Sequence, residues 1–150
     1  MIHMNIIHRK LFPASVKEFS SELSSVFAAA SCVQEGGTFW CSEKKSVSGI
    51  EYIVLDFGGE ILANTVLLRP SATGASFFPS EFSIEMSRDG EEWRILHTEK
   101  NYTLDRDEFS LRLPLVVFRF LRLVIFSTRP GDNEYHVELS SFRAGIAGAS

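Results

Sequence analysis

The chain has 150 residues, 45% of them apolar and 23% charged, with a net charge of −4. That is the make-up of one globular domain long enough to bury a core of its own. The acidic balance, with no basic run to neutralise a phosphate backbone, argues against nucleic acid, and no apolar run reaches the roughly 18 residues that a membrane helix needs. Thirteen phenylalanines against three tyrosines and two tryptophans favour a sheet-rich core. The stretch from Met1 to Pro13 lacks the basic and long apolar regions of a signal peptide, which leads to the expectation of a cytoplasmic chain or a piece of a longer one. Cys32 and Cys41 read as two thiols, with a local disulfide as the alternative, and have no zinc-like partner spacing around them.

Residues 1–13 carry little pattern, and Ile2, Ile6, Ile7, Leu11 and Phe12 read as an extra strand or arm. Ser15 and Glu18 fit a capping box, predicting a short helix over about 15–25 with Val16, Phe19, Leu23 and Val26 on one side. Residues 27–31 could extend that helix by propensity. From Cys32 to Gly49 the chain reads as loop. Glu51 to Phe57 is a strand broken by Gly58-Gly59, and Val66 to Leu68 a buried strand ending at Pro70. After a small polar loop at 71–76, Phe82, Ile84 and Met86 alternate with Ser83, Glu85 and Ser87, the period of a half-buried strand. Asp89-Gly90 suits a tight turn, and Trp93, Ile95 and Leu96 begin the return strand. Phe109, Leu111 and Leu113 form another alternating strand that Pro114 ends. Val116 to Phe126 is the most apolar strand, 127–135 a turn-rich loop, and Val137, Leu139 and Phe142 lie in a last strand before a frayed tail at 144–150. About eight strands with no alternating helices give an all-β antiparallel sandwich.

Several segments also resemble one family. Ser87-Arg88-Asp89-Gly90-Glu91-Glu92-Trp93 is similar to the "S-x-DG-x-x-W" hairpin of discoidin domains, also called coagulation-factor type C domains, in the galactose-binding-like group. Residues 27–31 resemble the end of that family's first core strand, and Thr38-Phe39-Trp40-Cys41-Ser42 its "T-x-W-x-S" segment. Glu51 to Gly58 resembles "E-W-I-x-V-D-L-G", with Tyr52 in the Trp place; Arg119 to Leu123 resembles "R-Y-x-R-L"; Glu138-Leu139 resembles the closing "x-x-E-L". The resemblance implies a jelly-roll sandwich over residues 28–143; residues 1–27 lie outside it and read, from their own pattern, as an N-terminal helix or arm that packs on the domain.

No nucleophile elbow, H-E-x-x-H, P-loop or G-x-G-x-x-G is present, and the reading is a non-catalytic recognition module. The resemblance implies that one end of the sandwich is built from the loops around 33–48, 70–79 and 127–136. Sugar binding asks for aromatic faces against C–H patches and multi-donor side chains for hydroxyls. Arg69, Phe77, Phe78, Arg129, Asn133, Tyr135 and His136 supply both and are the candidate ligand-binding residues for a glycan or glycoprotein. Each also has a plain structural reading: Trp40 and Phe78 as packing, Arg69 as the partner of a nearby acid, the 129–135 residues as turn formers. Of Arg119 and Arg122, one is expected to be a buried arginine paired with Asp56 or Glu138. The resemblance further implies a structural calcium between the first long loop and the last strand, with Thr38 and Glu138 at matching positions, although the family's loop Asp-Gly is replaced by Gln34-Glu35-Gly36-Gly37. The runner-up reading is a protein–protein assembly subunit or homo-oligomer that binds no sugar. A lipid-surface role through Phe77-Phe78 comes third, weakened by the scarcity of basic residues beside them.

Overall fold

β-branched and aromatic runs at a period of two form strands along most of the chain, as seen in a computed structural model that describes residues 7–35, 38–47, 49–72, 77–128 and 135–149. Among these are β1 (Ile7–Leu11), β2 (Ser15–Phe19), β3 (Trp40–Cys41), β4 (Glu51–Arg69), β5 (Pro79–Ser87), β6 (Arg94–Glu99), β7 (Phe109–Thr128), β8 (Glu138–Leu139) and β9 (Ser141–Ala149). Every pairing is antiparallel. The all-β sandwich expected from the strand pattern is the fold.

Two long strands make both layers. The first half of β4 pairs with β2 and with the second half of β7, which continues through β5 to β6. The second half of β4 pairs with β9, which carries β1, and with the first half of β7. The register shifts between Asp56 and Ile61 and between Ala63 and Thr65, the places where the strands bend from one layer to the other. The sequence reading had split both strands. Gly58 takes φ +81° at the first irregularity but does not end β4. Pro114 falls opposite the second irregularity, where the ladder does not need its missing N–H, so β7 continues through it.

The helix expected over 15–25 is not there. Residues 15–19 are β2, and Phe19, Leu23 and Val26, expected together on one side of that helix, are 40%, 40% and 61% exposed. Without β2, the first half of β4 would present an open edge; pairing along it outweighs helix propensities worth only tenths of a kcal/mol. Residues 25–27 and 29–33 form short 3-10 turns instead of a helix extension or a core strand. The C-terminal residues expected to fray extend β9 to Ala149 and hold β1.

Between the layers lie Trp40, Phe82, Phe118, Phe142 and the aliphatic faces of β4, β5 and β7. Trp40 is the core anchor expected, fully buried, with its indole N–H donating to the Ser21 carbonyl at 2.9 Å. Phe82, Ile84 and Met86 face inward as their alternation predicts, but Ser83 and Ser87 are also covered, each 2% exposed. The Asp89-Gly90 turn is wider than a two-residue hairpin, since pairing resumes only at Met86 and Arg94. Gly90 adopts φ +85°, and its N–H donates to the Ser87 hydroxyl. N–H bonds from Glu92 and Glu91 hold the Asp89 carboxyl below its usual range. Neither family-like arginine is the buried one expected. Arg119 pairs with Asp56 at 3.0 Å while its side chain stays 42% exposed. Arg122 pairs with Glu85, not Glu138, and stacks over Trp93 at 3.9 Å.

Candidate functional site

The described parts of the three loops expected at one end meet there, by identifiable bonds. The segment after β3 is zipped along the segment before β8. Ser42 N–H donates to the Val137 carbonyl at 3.0 Å, and the Lys45 and Tyr135 backbones exchange hydrogen bonds of 3.0 and 2.8 Å. The Ser42 hydroxyl accepts from Val137 N–H at 2.7 Å. The loop between β4 and β5 joins them through Phe77, whose ring stacks on the His136 imidazole with centroids 3.8 Å apart and 29° between the planes. His136 is fixed from below: its Nε2 lies 2.7 Å from Glu138 Oε2. Glu138 Oε1 in turn accepts from the Ser71 hydroxyl at 2.8 Å.

Beside this stack is a shallow concavity lined by Lys45, Gly49, Glu51, Thr128, Tyr135 and His136. Glu51 is buried at 4% exposure and accepts from the hydroxyls of Ser20 and Ser21, while its other oxygen meets Lys45 Nζ at 2.9 Å. These contacts tie the Lys45 ammonium to a buried, hydrogen-bonded carboxylate. Neither Lys45 nor Glu51 was a sequence candidate. The available signal was a lysine in the first loop and a glutamate opening a strand, and neither position announces a pair that forms only when loop and strand fold together.

Of the sequence candidates, Phe77, Tyr135 and His136 come together. Phe77 and Tyr135 are half-buried. His136 is 4% exposed, so it supports Phe77 from beneath and does not meet a ligand directly. Phe78 is corrected from ligand contact to packing: it is 3% exposed and lies against Tyr102, ring centroids 6.0 Å apart. Arg69 pairs with Glu108 at 3.1 Å, on a carboxylate that Arg9 also engages. It opens on a different groove, lined with Thr38, Ser140, Ser141 and Arg143. Arg129 and Asn133 lie outside the described residues.

The calcium implied by resemblance does not fit the described side chains. Thr38 donates its hydroxyl to the Val26 carbonyl at 2.9 Å. The ligating atoms clustered with Glu138 are a histidine nitrogen and a cysteine sulfur, whereas calcium takes six to eight oxygens.

The F5/8 type C domain model matches residues 16–138, most of the chain. The chain belongs to the F5/8 type C domain family. No curated protein sequence matches it. Solved structures with the same fold include the third family 32 module of a family 31 glycoside hydrolase from Clostridium perfringens, at 17% identity and a TM-score of 0.76, covering 88% of this chain and 90% of that one. The family 32 carbohydrate-binding module of NanJ from C. perfringens, solved with galactose, gives 12% identity and 0.73, covering 92% and 99%. Chitosan-binding module 1 of a chitosanase/glucanase from Paenibacillus sp. IK-5 gives 18% and 0.70, covering 91% and 98%. The matched residues thus take in nearly all of β2 and run through β7 to the start of β8, while β1 and the whole of β9 lie outside them.

Proposed function

We propose that this F5/8 type C domain is a non-catalytic carbohydrate-recognition module that binds through its loop end. The observation that carries the reading is the braced ring of Phe77. It lies flat on His136, which Glu138 and Ser71 hold in place, so a half-buried ring is fixed at the loop end, ready to meet a ligand without further ordering. A sugar offers an apolar C–H patch to such a face and vicinal hydroxyls to neighbouring polar groups. Tyr135 and Lys45 line the adjoining concavity, Lys45 with its ammonium paired to Glu51, and bring polar side chains beside that ring. The galactose-bound and chitosan-binding relatives have the same frame, and by analogy terminal galactose and amino sugars are the first candidates.

A glycan array probed with the purified chain, with calcium and with chelator, tests this. The expected result is a specific hit that needs no added calcium and that Phe77→Ala abolishes while the chain stays folded. A blank array from folded protein, or a hit that survives Phe77→Ala, would overturn the reading.

A further inference from the structure

The side-chain cluster that excludes calcium has a chemistry of its own. Cys41 and Glu138 are directly paired across β3 and β8, and facing residues of an antiparallel pair project from the same side. His136 precedes Glu138 by two residues, and the period of two returns it to that side. The topology therefore aims a thiol, an imidazole and a carboxylate at one point, and their ligating atoms all lie within 4.8 Å of one another. All three residues are buried, at 2%, 4% and 9% exposure for Cys41, His136 and Glu138.

We propose that Cys41, His136 and Glu138 form a binding site for a single zinc-class divalent ion. Sulfur with imidazole nitrogen selects a borderline-soft ion such as Zn²⁺, and a carboxylate oxygen completes a familiar three-ligand set with one position open. Bonds of about 2.0–2.3 Å require tetrahedral ligand atoms roughly 3.3–3.7 Å apart, so the ion takes the place of the hydrogen bond between His136 Nε2 and Glu138 Oε2, now 2.7 Å apart, which opens by side-chain rotation to admit it. The supporting shell is already built. Ser71 donates to the Glu138 oxygen at 2.8 Å, and Phe77 covers the imidazole face at 3.8 Å. The ion ties the end of the first loop to the last strands, where β3 and β8 hold each other by only two residues apiece.

The test uses the untagged, reduced full chain, stripped with chelator, and its readouts do not involve sugar. Cobalt(II) is titrated first, then zinc. The expected result is one equivalent of cobalt with a thiolate-to-metal charge-transfer band, displacement of that band by one equivalent of zinc, and a Tm that rises with zinc and falls with chelator. Cys41→Ser removes the band and His136→Asn weakens zinc binding more than tenfold, whereas Cys32→Ser, at a buried thiol outside the cluster, keeps both. The wild-type titration decides alone if a variant fails to fold. Cobalt bound without the charge-transfer band, as His3 or His8 would bind it, overturns the proposal. So does a folded chain that binds no equivalent, or a Tm that responds to calcium and not to zinc.

Discussion

Gly145→Ala should unzip the N-terminal strand from the sandwich. Gly145 of β9 is paired with Leu11 of β1. A methyl group built on it would sit 2.0 Å from the Lys10 carbonyl oxygen and 2.9 Å from the Leu11 Cα. Both are backbone atoms, so no side chain can swing away. Relief to even 3.0 Å moves β1 by at least about 1 Å. Ladder bonds near 2.9 Å, such as the neighbouring Phe12 N–H to Ala144 carbonyl bond, then exceed hydrogen-bonding distance. At about 0.5–1.5 kcal/mol each, two or three lost bonds cost roughly 2–3 kcal/mol, and at about 2–4 °C per kcal/mol for a domain of this size Tm falls by roughly 4–12 °C. Hydrogen exchange followed by mass spectrometry should show fast exchange confined to residues 7–12 and 143–149, with β4, β5 and β7 still protected. Unchanged protection and Tm would refute the close packing of β1 on β9.

Other substitutions separate core, surface and pH effects. Trp40→Ala removes a fully buried ring and leaves the Ser21 carbonyl without its indole donor; a loss of about 3–5 kcal/mol is expected by denaturant titration. Arg122→Lys keeps the charge near Glu85 but loses the planar fork and the stack on Trp93; about 1 kcal/mol should be lost, with no change in the denaturant m-value. The Asp56 carboxyl is held below its usual range by the Arg119 hydrogen bond. A carboxylate depressed in the folded state stabilises fully above its unfolded pKa, about 3.9, and that stability is lost as pH falls through the folded value. Asp56→Asn should therefore flatten the stability profile below about pH 5 relative to wild type, read from Tm against pH; parallel profiles would remove Asp56 from the acid response.

What could be read from the sequence was what local pattern controls. Period two placed Phe82, Ile84 and Met86 on the core face, and Gly90 at the turn took the positive φ its type allows. The run of short strands without alternating helices pointed to the sandwich, and the ordered family-like segments narrowed it to the F5/8 type C frame. The failures came where distant strands decide. Ser15 and Glu18 carry a helix signal, but the edge of β4 takes the segment as β2. Pro114 and Gly58 look like strand ends and mark irregularities within longer strands instead. At the site, the sequence named Phe77, Tyr135 and His136 but could not order them. Which ring faces outward and which supports it depends on Glu138, a strand residue that also pairs with Cys41. Lys45 and Glu51 were missed because their pairing joins a loop to a strand edge.

The most direct test of the central claim is a two-dimensional ¹H–¹⁵N NMR titration of the folded chain with galactose and with an amino-sugar oligomer. Recognition at the loop end predicts saturable shifts grouped at Lys45, Gly49, Phe77, Thr128, Tyr135 and His136, with the β6 edge unmoved. Shifts grouped instead around Arg69, Ser140 and Arg143, or none with either sugar at millimolar concentration, would contradict it.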